Sequence, residues 1–216
     1  MRIGILGTGG VGQALATAWS GLGHEVCMGA RDAANPKAAA WAAAGRGRAH
    51  GAFQDAARHG DVVVNCTAGT ASLEALAAAG AEQLAGKPLL DVSNPLDFSG
   101  GFPPVLSVQG TDSLGEQIQR AFPESRVVKG LNTVTAAVMV DPGSVGGGEH
   151  DLFLCGDDPA AKQVAAALLA ELGWHPERLL DLGGIEAARG TESYLLFWVR
   201  VMGAVGGPMF NISVVR

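Results

Sequence analysis

This sequence predicts an α/β fold built on a doubly wound parallel sheet, with a small helical part at the C-terminal end. Apolar runs typical of buried strands alternate with alanine-rich runs of helical spacing along most of the 216 residues. Glycines cluster where the first strand meets the first helix, and residues 185–216 are strongly apolar with helical spacing. Because strand–helix–strand crossovers are right-handed, this alternation predicts a parallel sheet whose ligands bind beyond the carboxyl ends of the strands.

The first part of the chain repeats a unit of one strand and one helix. The predicted strands are "RIGIL" (2–6), "EVCMGA" (25–30), "DVVVNC" (61–66) and "KPLLDVSN" (87–94). The predicted helices are "GVGQALATAWSGLG" (10–23), "KAAAWAAAG" (37–45) and "SLEALAAAG" (72–80). Asn35 and Pro36 supply an N-cap and a first-turn proline for the second helix, so its start is well defined.

The alternation is interrupted at residues 95–112 and again through "DPGSVGGGEH" (141–150). Residues 95–112 contain three prolines and several glycines, and we expect an ordered surface loop rather than a disordered linker. A loop of this length is usually functional. The elements predicted after it are the helix "SLGEQIQRAF" (113–122), the strands "RVVKGLN" (126–132) and "DLFLCG" (151–156), a helix begun by Asp157, Asp158 and Pro159, and the strand "RLLDL" (178–182).

Composition and charge argue against several function classes. The formal net charge of −6, without a concentrated basic patch, argues against nucleic acid as a partner. No apolar stretch reaches the length of a membrane helix, and the most apolar one carries Arg200 in its middle. Cys27, Cys66 and Cys155 each lie in an apolar run where a buried thiol is expected, which fits a reducing compartment. We therefore expect a cytoplasmic protein without a membrane partner.

A glycine-rich turn after the first predicted strand carries the most specific motif. The G-x-G-x-x-G pattern consists of Gly7, Thr8, Gly9, Gly10, Val11 and Gly12. In such a motif the first glycine makes the tight turn, the second lets a pyrophosphate approach backbone N–H groups, and the third allows the helix to pack closely on the strand. Its place between strand and helix favours a dinucleotide site over a turn without function.

The end of the second predicted strand indicates which dinucleotide binds. An NAD site usually has a carboxylate there, which accepts hydrogen bonds from the ribose hydroxyls and repels a 2′-phosphate. This chain has Ala30 at that position and Arg31 next, and the planar, permanently charged guanidinium suits a phosphate. Asp32 competes for the role, but the strand alignment puts it beyond the strand end. The sequence favours NADP, with a solvated surface arginine as the alternative interpretation.

Six segments resemble one family of enzymes. They are "RIGILGTGGVGQALA", "GHEVCMGARD", "DVSNPL", "VVKGLNTV", "LFLCGDD" and "DLGGIEAAR", in this order between Met1 and about Arg189. Together they resemble the coenzyme F420:NADPH oxidoreductases, which are deazaflavin-dependent NADP reductases. The resemblance implies an NADP-binding Rossmann domain, residues 1–182, and a helical segment, residues 183–216. The two would enclose a cleft in which the deazaflavin lies over the nicotinamide.

The resemblance also implies roles for individual positions. The glycine motif would hold the pyrophosphate, Arg31 the 2′-phosphate, and Thr67 and Ala68 would line the ribose and nicotinamide. The pocket for the ring systems would be shaped by Ser93, Asn94, Pro95, Asn132 and Thr133. Asn94-Pro95 and Asn132 have an equally good alternative interpretation as turn residues. NADP(H) would be the cofactor and coenzyme F420 the co-substrate, with a flavin as the alternative.

Catalysis in such a site depends on positioning. Hydride transfer needs the two ring systems stacked and close, and it requires no nucleophile. No Ser-His-Asp, metal or paired-carboxylate arrangement is evident, and the five histidines are scattered. We therefore predict no catalytic residue and no metal.

Two alternative functions remain open. The "VKGLNTV" segment also resembles the reductase domain of the six-transmembrane ferric reductases, so an NADPH-dependent flavin or ferric reductase is one alternative. A non-catalytic NADPH-binding redox sensor is the other. A catalyst should use the loop 95–112 to roof an apolar pocket, whereas a sensor could fill that pocket with its own side chains.

The segment "YLLFWVRVMGAVGGPMF" (194–210) carries many large apolar side chains for a water-exposed tail. Such a surface is typical of an interface between chains, and we predict a homodimer formed through it. Burial of these side chains within one chain is the alternative.

Overall fold

The computed structural model of the protein describes residues 1–215. The strands are β1 (Arg2–Leu6), β2 (Glu25–Ala30), β3 (Arg48–Ala52), β4 (Val62–Asn65), β5 (Pro88–Asp91), β6 (Leu96–Asp97), β7 (Val105–Leu106), β8 (Arg126–Gly130), β9 (Leu152–Cys155) and β10 (Leu179–Asp181). The α-helices are α1 (Gly10–Gly21), α2 (Pro36–Ala43), α3 (Phe53–His59), α4 (Ser72–Ala79), α5 (Ala81–Leu84), α6 (Leu114–Ala121), α7 (Ala136–Val140), α8 (Pro159–Glu171) and α9 (Ala188–Val205).

Eight strands form one sheet in the order β10-β9-β8-β5-β4-β1-β2-β3. All neighbouring pairs are parallel except β8 and β9, so the predicted doubly wound α/β fold is confirmed, with one departure at an edge. The departure lies in the connection between these strands. Its helix α7 has five residues and spans only about 7.5 Å. The chain enters β9 from the edge of the sheet at which β8 ends, so the two strands run antiparallel.

Helices cover both faces of the sheet. Alternate strand residues face opposite sides, and the buried side chains form two clusters that follow this alternation, with Ile3, Ile5 and Val64 in one and Leu6 and Val63 in the other. The first cluster includes residues of α1, α2 and α8, and the second includes residues of α3, α4 and α6. The carboxyl edge of the sheet is left open for a ligand.

Besides the reversal at β9, the structure contains elements that the sequence did not predict, among them the short helices α5 and α7. β3 and α3 were not predicted, because "RAHGA" lacks the apolar run of a buried strand and lies at the sheet edge. The loop 95–112 contains a short hairpin, in which β6 and β7 pair antiparallel through Leu96–Leu106 and Asp97–Val105. The expected ordered loop therefore has secondary structure of its own.

The C-terminal part was predicted to be helical over residues 183–216, but it is helical only at Ile185–Ala187 and in α9, and residues 206–215 form irregular backbone because Gly206 ends the helix. α9 ends at Gly206, whose φ of +79° is the left-handed conformation typical of a helix C-terminus. Past this turn the chain passes beside Asp151, and the Asp151 N–H donates to the carbonyl oxygen of Ile212. Within residues 1–215 no helix combines the length and the apolar character needed to cross a membrane.

Candidate functional site

The turn between β1 and α1 requires glycine at two positions and leaves a third open. Gly7 has a φ of +119°, and a Cβ there would lie 2.7 Å from the carbonyl oxygen of Cys66. A Cβ on Gly12 would collide with the carbonyl oxygen of Gly7. Gly9 has ordinary extended angles, φ −75° and ψ −179°, and its Cβ would point into open space. The open space at Gly9 is therefore available to a ligand.

The N-terminus of α1 is suited to an anion. No side chain caps this 12-residue helix, and its first turn carries no acidic residue. The first N–H groups of a helix have no intrahelical partner, and the helix dipole favours negative charge beside them. A pyrophosphate at the open face of Gly9 would meet these donors.

Arg31 is the first residue after β2, as the sequence predicted, and it lines a pocket of about 270 Å³ with the glycine loop. The Arg31 side chain is exposed and makes no hydrogen bond or ion pair within residues 1–215. Asp32 instead accepts a hydrogen bond from the N–H of Ala34 at 2.9 Å and closes a turn. Glu74 is the carboxylate on the pocket wall. Arg31 is thus positioned to meet an anion beside the glycine loop.

A larger pocket of about 660 Å³ opens beyond the carboxyl ends of the central strands. It shares Cys66, Thr67 and Ala68 with the pocket at Arg31, so the two form one groove along the sheet edge. Its apolar wall consists of Val11, Val92, Leu96, Phe98, Val134, Met139, Leu195 and Trp198. Asp97 is the one charged side chain among the lining residues. This part of the groove suits a largely neutral, planar group.

A buried charge network lies beneath the larger pocket. Lys129 Nζ donates to Asp91 Oδ2 at 2.7 Å and lies 2.7 Å from Glu192 Oε1 on α9. Burial lowers the pKa of Lys129, but Asp91 and then Glu192 outweigh it, so this pKa lies above its ordinary value. Glu192 also accepts from the N–H groups of Leu114 and Gly115 at the start of α6. The network joins α9 and α6 to the central sheet.

The same network fixes polar side chains on the pocket wall. Asp91 Oδ1 accepts from Ser93 Oγ at 2.6 Å and from Asn65 Nδ2 at 2.9 Å. Asn65 Oδ1 in turn accepts from Thr67 Oγ1 at 2.7 Å. Because Thr67 and Ser93 line the larger pocket, the buried charges help to hold the wall in place.

Asn94 and Asn132 tie two strand ends together. Asn132 Nδ2 donates to Asn94 Oδ1 at 3.0 Å and to the carbonyl oxygen of Thr191 on α9 at 3.1 Å, and Asn94 Nδ2 donates to the Asn132 carbonyl oxygen at 2.8 Å. Leu131, just before, has a φ of +62°, which is strained for a leucine. Asn132 Oδ1 and Thr133 Oγ1 are buried without a partner among the described residues. The loop thus places two residues with unpaired polar atoms on the wall of the larger pocket.

The predicted site residues fall into one groove, with two exceptions. Gly7, Thr8, Gly9 and Arg31 line the smaller pocket, and Gly10, Val11, Ser93, Asn94, Asn132 and Thr133 line the larger one, with Thr67 and Ala68 in both. Gly12 packs beneath the loop, and Pro95 is not on either wall. The sequence did not single out Phe53, Met139, Leu195 or Trp198, because isolated apolar residues in helices look like core. It also did not single out Glu74, because a carboxylate in a helix usually belongs to a solvated face.

The cysteines and histidines offer no nucleophile or metal site within residues 1–215. All three cysteines are free thiols, and burial, followed by Asp55, raises the pKa of Cys27 to about 11. Burial likewise raises the pKa of Cys66, the cysteine on the groove wall. No group of three metal-ligating side chains comes together in this part of the chain.

Comparison with known proteins gives the family. Residues 2–95 match the family model for NADP oxidoreductase, coenzyme F420-dependent. The F420-dependent NADP reductase of Methanothermobacter thermautotrophicus is 31% identical over 202 residues, covering 89% of this chain and 85% of the relative. A crystal structure from Arthrobacter sp. FB24, assigned as an F420-dependent NADP reductase, is 49% identical, covers 100% of both chains and has a TM-score of 0.94.

A second kind of relative is matched over only part of its length. Metalloreductase STEAP3 of Rattus norvegicus is 31% identical over 193 residues, and this chain spans 36% of that protein. Because the Methanothermobacter relative is matched over most of both chains and the family model covers the glycine loop, Arg31 and Ser93 to Pro95, the chain belongs to the family of coenzyme F420-dependent NADP oxidoreductases.

Proposed function

We propose that this protein transfers a hydride reversibly between NADP(H) and the deazaflavin coenzyme F420. Family membership supports an NADP-dependent oxidoreductase that binds NADP(H). The observation that supports hydride transfer to coenzyme F420 is the continuous groove. It has Arg31 at one end and an apolar pocket of about 660 Å³ at the other. Such a groove can hold a phosphorylated dinucleotide and a second planar ring together.

The residues of the smaller pocket would hold the dinucleotide. The N–H groups at the start of α1 would bind the pyrophosphate at the open face of Gly9, and the Arg31 guanidinium would bind the 2′-phosphate. Thr67 and Ala68, at the junction of the two pockets, would contact the ribose and the nicotinamide. When bound, the nicotinamide supplies or takes up the hydride.

The larger pocket would position the acceptor and exclude water. Residues 183–216 would complete this cleft, since Leu195 and Trp198 of α9 line it opposite the strand ends. Ser93, Asn94, Asn132 and Thr133 would orient the ring edges through hydrogen bonds. Its lining contains no histidine, lysine or arginine, which fits a reaction that depends on distance and orientation rather than on acid–base catalysis.

Isotope transfer tests the proposal. With NADPH deuterated on one C4 face, the label should appear at C5 of reduced coenzyme F420 without exchange into solvent, because the new bond is a C–H bond. The Arg31→Ala variant at the same NADPH concentration serves as the comparison for cofactor-dependent transfer. Tight NADPH binding without reduction of any acceptor would contradict the catalytic proposal and favour a redox sensor.

An NADPH-dependent flavin or ferric reductase is the second candidate function. The 31% identity to Metalloreductase STEAP3 over 89% of this chain favours it. Replacing coenzyme F420 by riboflavin, FMN or a ferric chelate in the same assay separates the two candidates. The redox sensor is less well supported, because Leu96, Asp97 and Phe98 of the long loop line an open apolar pocket instead of filling it.

We further propose a homodimer in the cytoplasm. Leu196, Phe197 and Val205 on α9 are exposed apolar side chains, 40–60% accessible in one chain. Their number on a single helix supports an interface between two copies. The free thiols of all three cysteines are consistent with a reducing compartment.

A further inference from the structure

The C-terminal segment, residues 207–215, lies against both the fold and the wall of the larger pocket. After α9 ends, the N–H of Gly207 donates to the carbonyl oxygen of Met202, and Pro208 directs the chain away from the helix. The ring of Phe210 then stacks on the indole of Trp198, with centroids 5.2 Å apart and planes inclined by 25°. Trp198 lines the pocket proposed for the acceptor. The segment therefore contacts one residue of that wall.

Hydrogen bonds anchor the segment just beyond Phe210. Asn211 Nδ2 donates to His150 Nδ1 at 2.8 Å and to the carbonyl oxygen of Asp151 at 2.9 Å. Asp151 Oδ2 accepts from the N–H of Val214 at 2.6 Å, and the Asp151 N–H donates to the carbonyl oxygen of Ile212 at 3.0 Å. Asp151 and His150 are 3% and 4% exposed. A rigid, buried support thus holds the residues that follow the ring.

Trp198 differs from the other three tryptophans in what fixes its indole. The Nε1 atoms of Trp19, Trp41 and Trp174 donate to Leu168, Thr17 and Met139 respectively, at 3.0–3.2 Å. Trp198 Nε1 is buried and has no partner among the described residues. Among the described residues, the stacking on Phe210 is therefore the contact that orients this indole.

We infer that Trp198 contacts the hydride acceptor and that Phe210, anchored through Asn211, is a positioning residue for its indole. The inference rests on the proposed function, since it assigns the acceptor to the α9 side of the groove. In its present orientation the Trp198 indole lines the larger pocket, where it can pack against a planar heteroaromatic acceptor. Phe210 holds the indole in this orientation by stacking on it and thereby favours acceptor binding without touching the acceptor.

Binding of oxidised coenzyme F420 to the NADP⁺-loaded enzyme, followed by the anisotropy of F420 fluorescence, tests the inference without turnover. An aromatic pair contributes about 0.5–1.5 kcal/mol, so Phe210→Ala should weaken F420 binding by about two- to twelve-fold. Asn211→Ala should act in the same direction. The ring-conserving Phe210→Tyr should restore binding, and Met209→Ala, an exposed neighbour in the same segment, should not change it. NADPH affinity should stay the same in all four variants.

Tryptophan fluorescence supplies the second measurement. Phe210→Ala should shift the emission to longer wavelength and increase acrylamide quenching, and both changes should vanish in a Trp198→Phe background. Equal loss of F420 and NADPH affinity, or unchanged F420 affinity and emission in a folded Phe210→Ala protein, would overturn the inference. If F420 binds and the variants respond but no hydride moves, the proposed function fails while the positioning role stands.

Discussion

Arg31 is the residue on which the choice of dinucleotide depends. A charge-assisted contact of a guanidinium with a phosphate contributes about 1.5–3 kcal/mol. We expect Arg31→Ala to weaken NADPH binding by roughly ten- to hundred-fold and to leave NADH nearly unchanged, because NADH lacks the 2′-phosphate. Titration of both nucleotides by fluorescence checks this.

The matched control is Arg46→Ala, which removes another exposed arginine, outside the groove. It should change neither affinity. Equal losses for NADPH and NADH in the Arg31→Ala protein would show that this arginine does not recognise the 2′-phosphate.

Substitution of Gly9 should affect ligand binding without affecting the stability of the fold. Its backbone angles suit any L-residue and a Cβ would meet no protein atom, so Gly9→Ala should fold with an unchanged free energy of unfolding. The added methyl group would occupy the space that the pyrophosphate needs, and dinucleotide binding should be lost. Urea denaturation and NADPH titration measure the two effects separately.

Gly21→Ala provides the comparison, because Gly21 lies at the other end of α1 and its Cβ would also meet no atom. NADPH affinity should be unchanged in that variant. A folded Gly9→Ala protein that still binds NADPH would mean that the loop does not carry the pyrophosphate.

At the scale of elements, the features that depend on neighbouring residues could be predicted from the sequence. The features that depend on pairing between distant parts of the chain could not. The β1–α1 turn and the caps at Asn35 and Asp158 were predicted and are present, since each depends on residues a few positions apart. The antiparallel direction of β9 was not predicted, because it depends on the path of residues 131–151 in space. Likewise, no local signal tells that Lys129 in "VVKG" is fully buried between carboxylates from β5 and α9.

Lys129 therefore offers a test of how α9 is held to the sheet. Lys129→Met would leave Asp91 and Glu192 buried without their cation, and breaking a buried ion pair in this way costs about 3–5 kcal/mol. Lys162→Met breaks the pair with Asp181, whose side chain is 57% exposed, and should cost less than about 1 kcal/mol. Urea denaturation at neutral pH compares the two, and similar losses would contradict a structural role for the buried charges.

The contact between α6 and α9 predicts a dependence on pH. Hydrogen bonds from the Arg189 guanidinium hold the pKa of Glu116 below its ordinary value, against burial and with help from Ser113. A lowered folded-state pKa contributes stability that is present above the ordinary glutamate value of about 4.3 and is lost as pH falls through the lower value. The wild type should therefore exceed Glu116→Gln in free energy of unfolding at pH 6.

That difference should shrink as pH falls below about 4.3. Urea denaturation between pH 6 and 3 measures it, and the comparison with glutamine removes the contribution of the other carboxylates. A constant difference across this range would contradict the assignment to Glu116 ionisation.

At the scale of the whole molecule, the groove combines parts that the sequence predicts unequally. The smaller pocket, proposed for the dinucleotide, depends on the glycine turn after β1 and on Arg31 after β2. Both are short local patterns, so the sequence identifies them. The larger pocket brings together the ends of β4, β5 and β8, the hairpin and α9, which are up to about 130 residues apart in the chain. Leu195 and Trp198 complete the wall only because Glu192 ties α9 to Lys129 and to the start of α6.

The outer surface of α9 carries the last prediction. Phe197 and Val205 are 59% and 60% exposed and lie two turns apart on one face, with the half-buried Val201 between them. Burying these side chains against a second copy would remove apolar area from water at about 25 cal/mol per Å². Light scattering at micromolar concentration should therefore give twice the single-chain mass of 21.9 kDa. Phe197→Ser should lower the mass towards one chain, while Leu22→Ser, at an exposed leucine after α1, should leave it unchanged. A wild-type protein with the mass of one chain would mean that this face is exposed to solvent in the functional molecule.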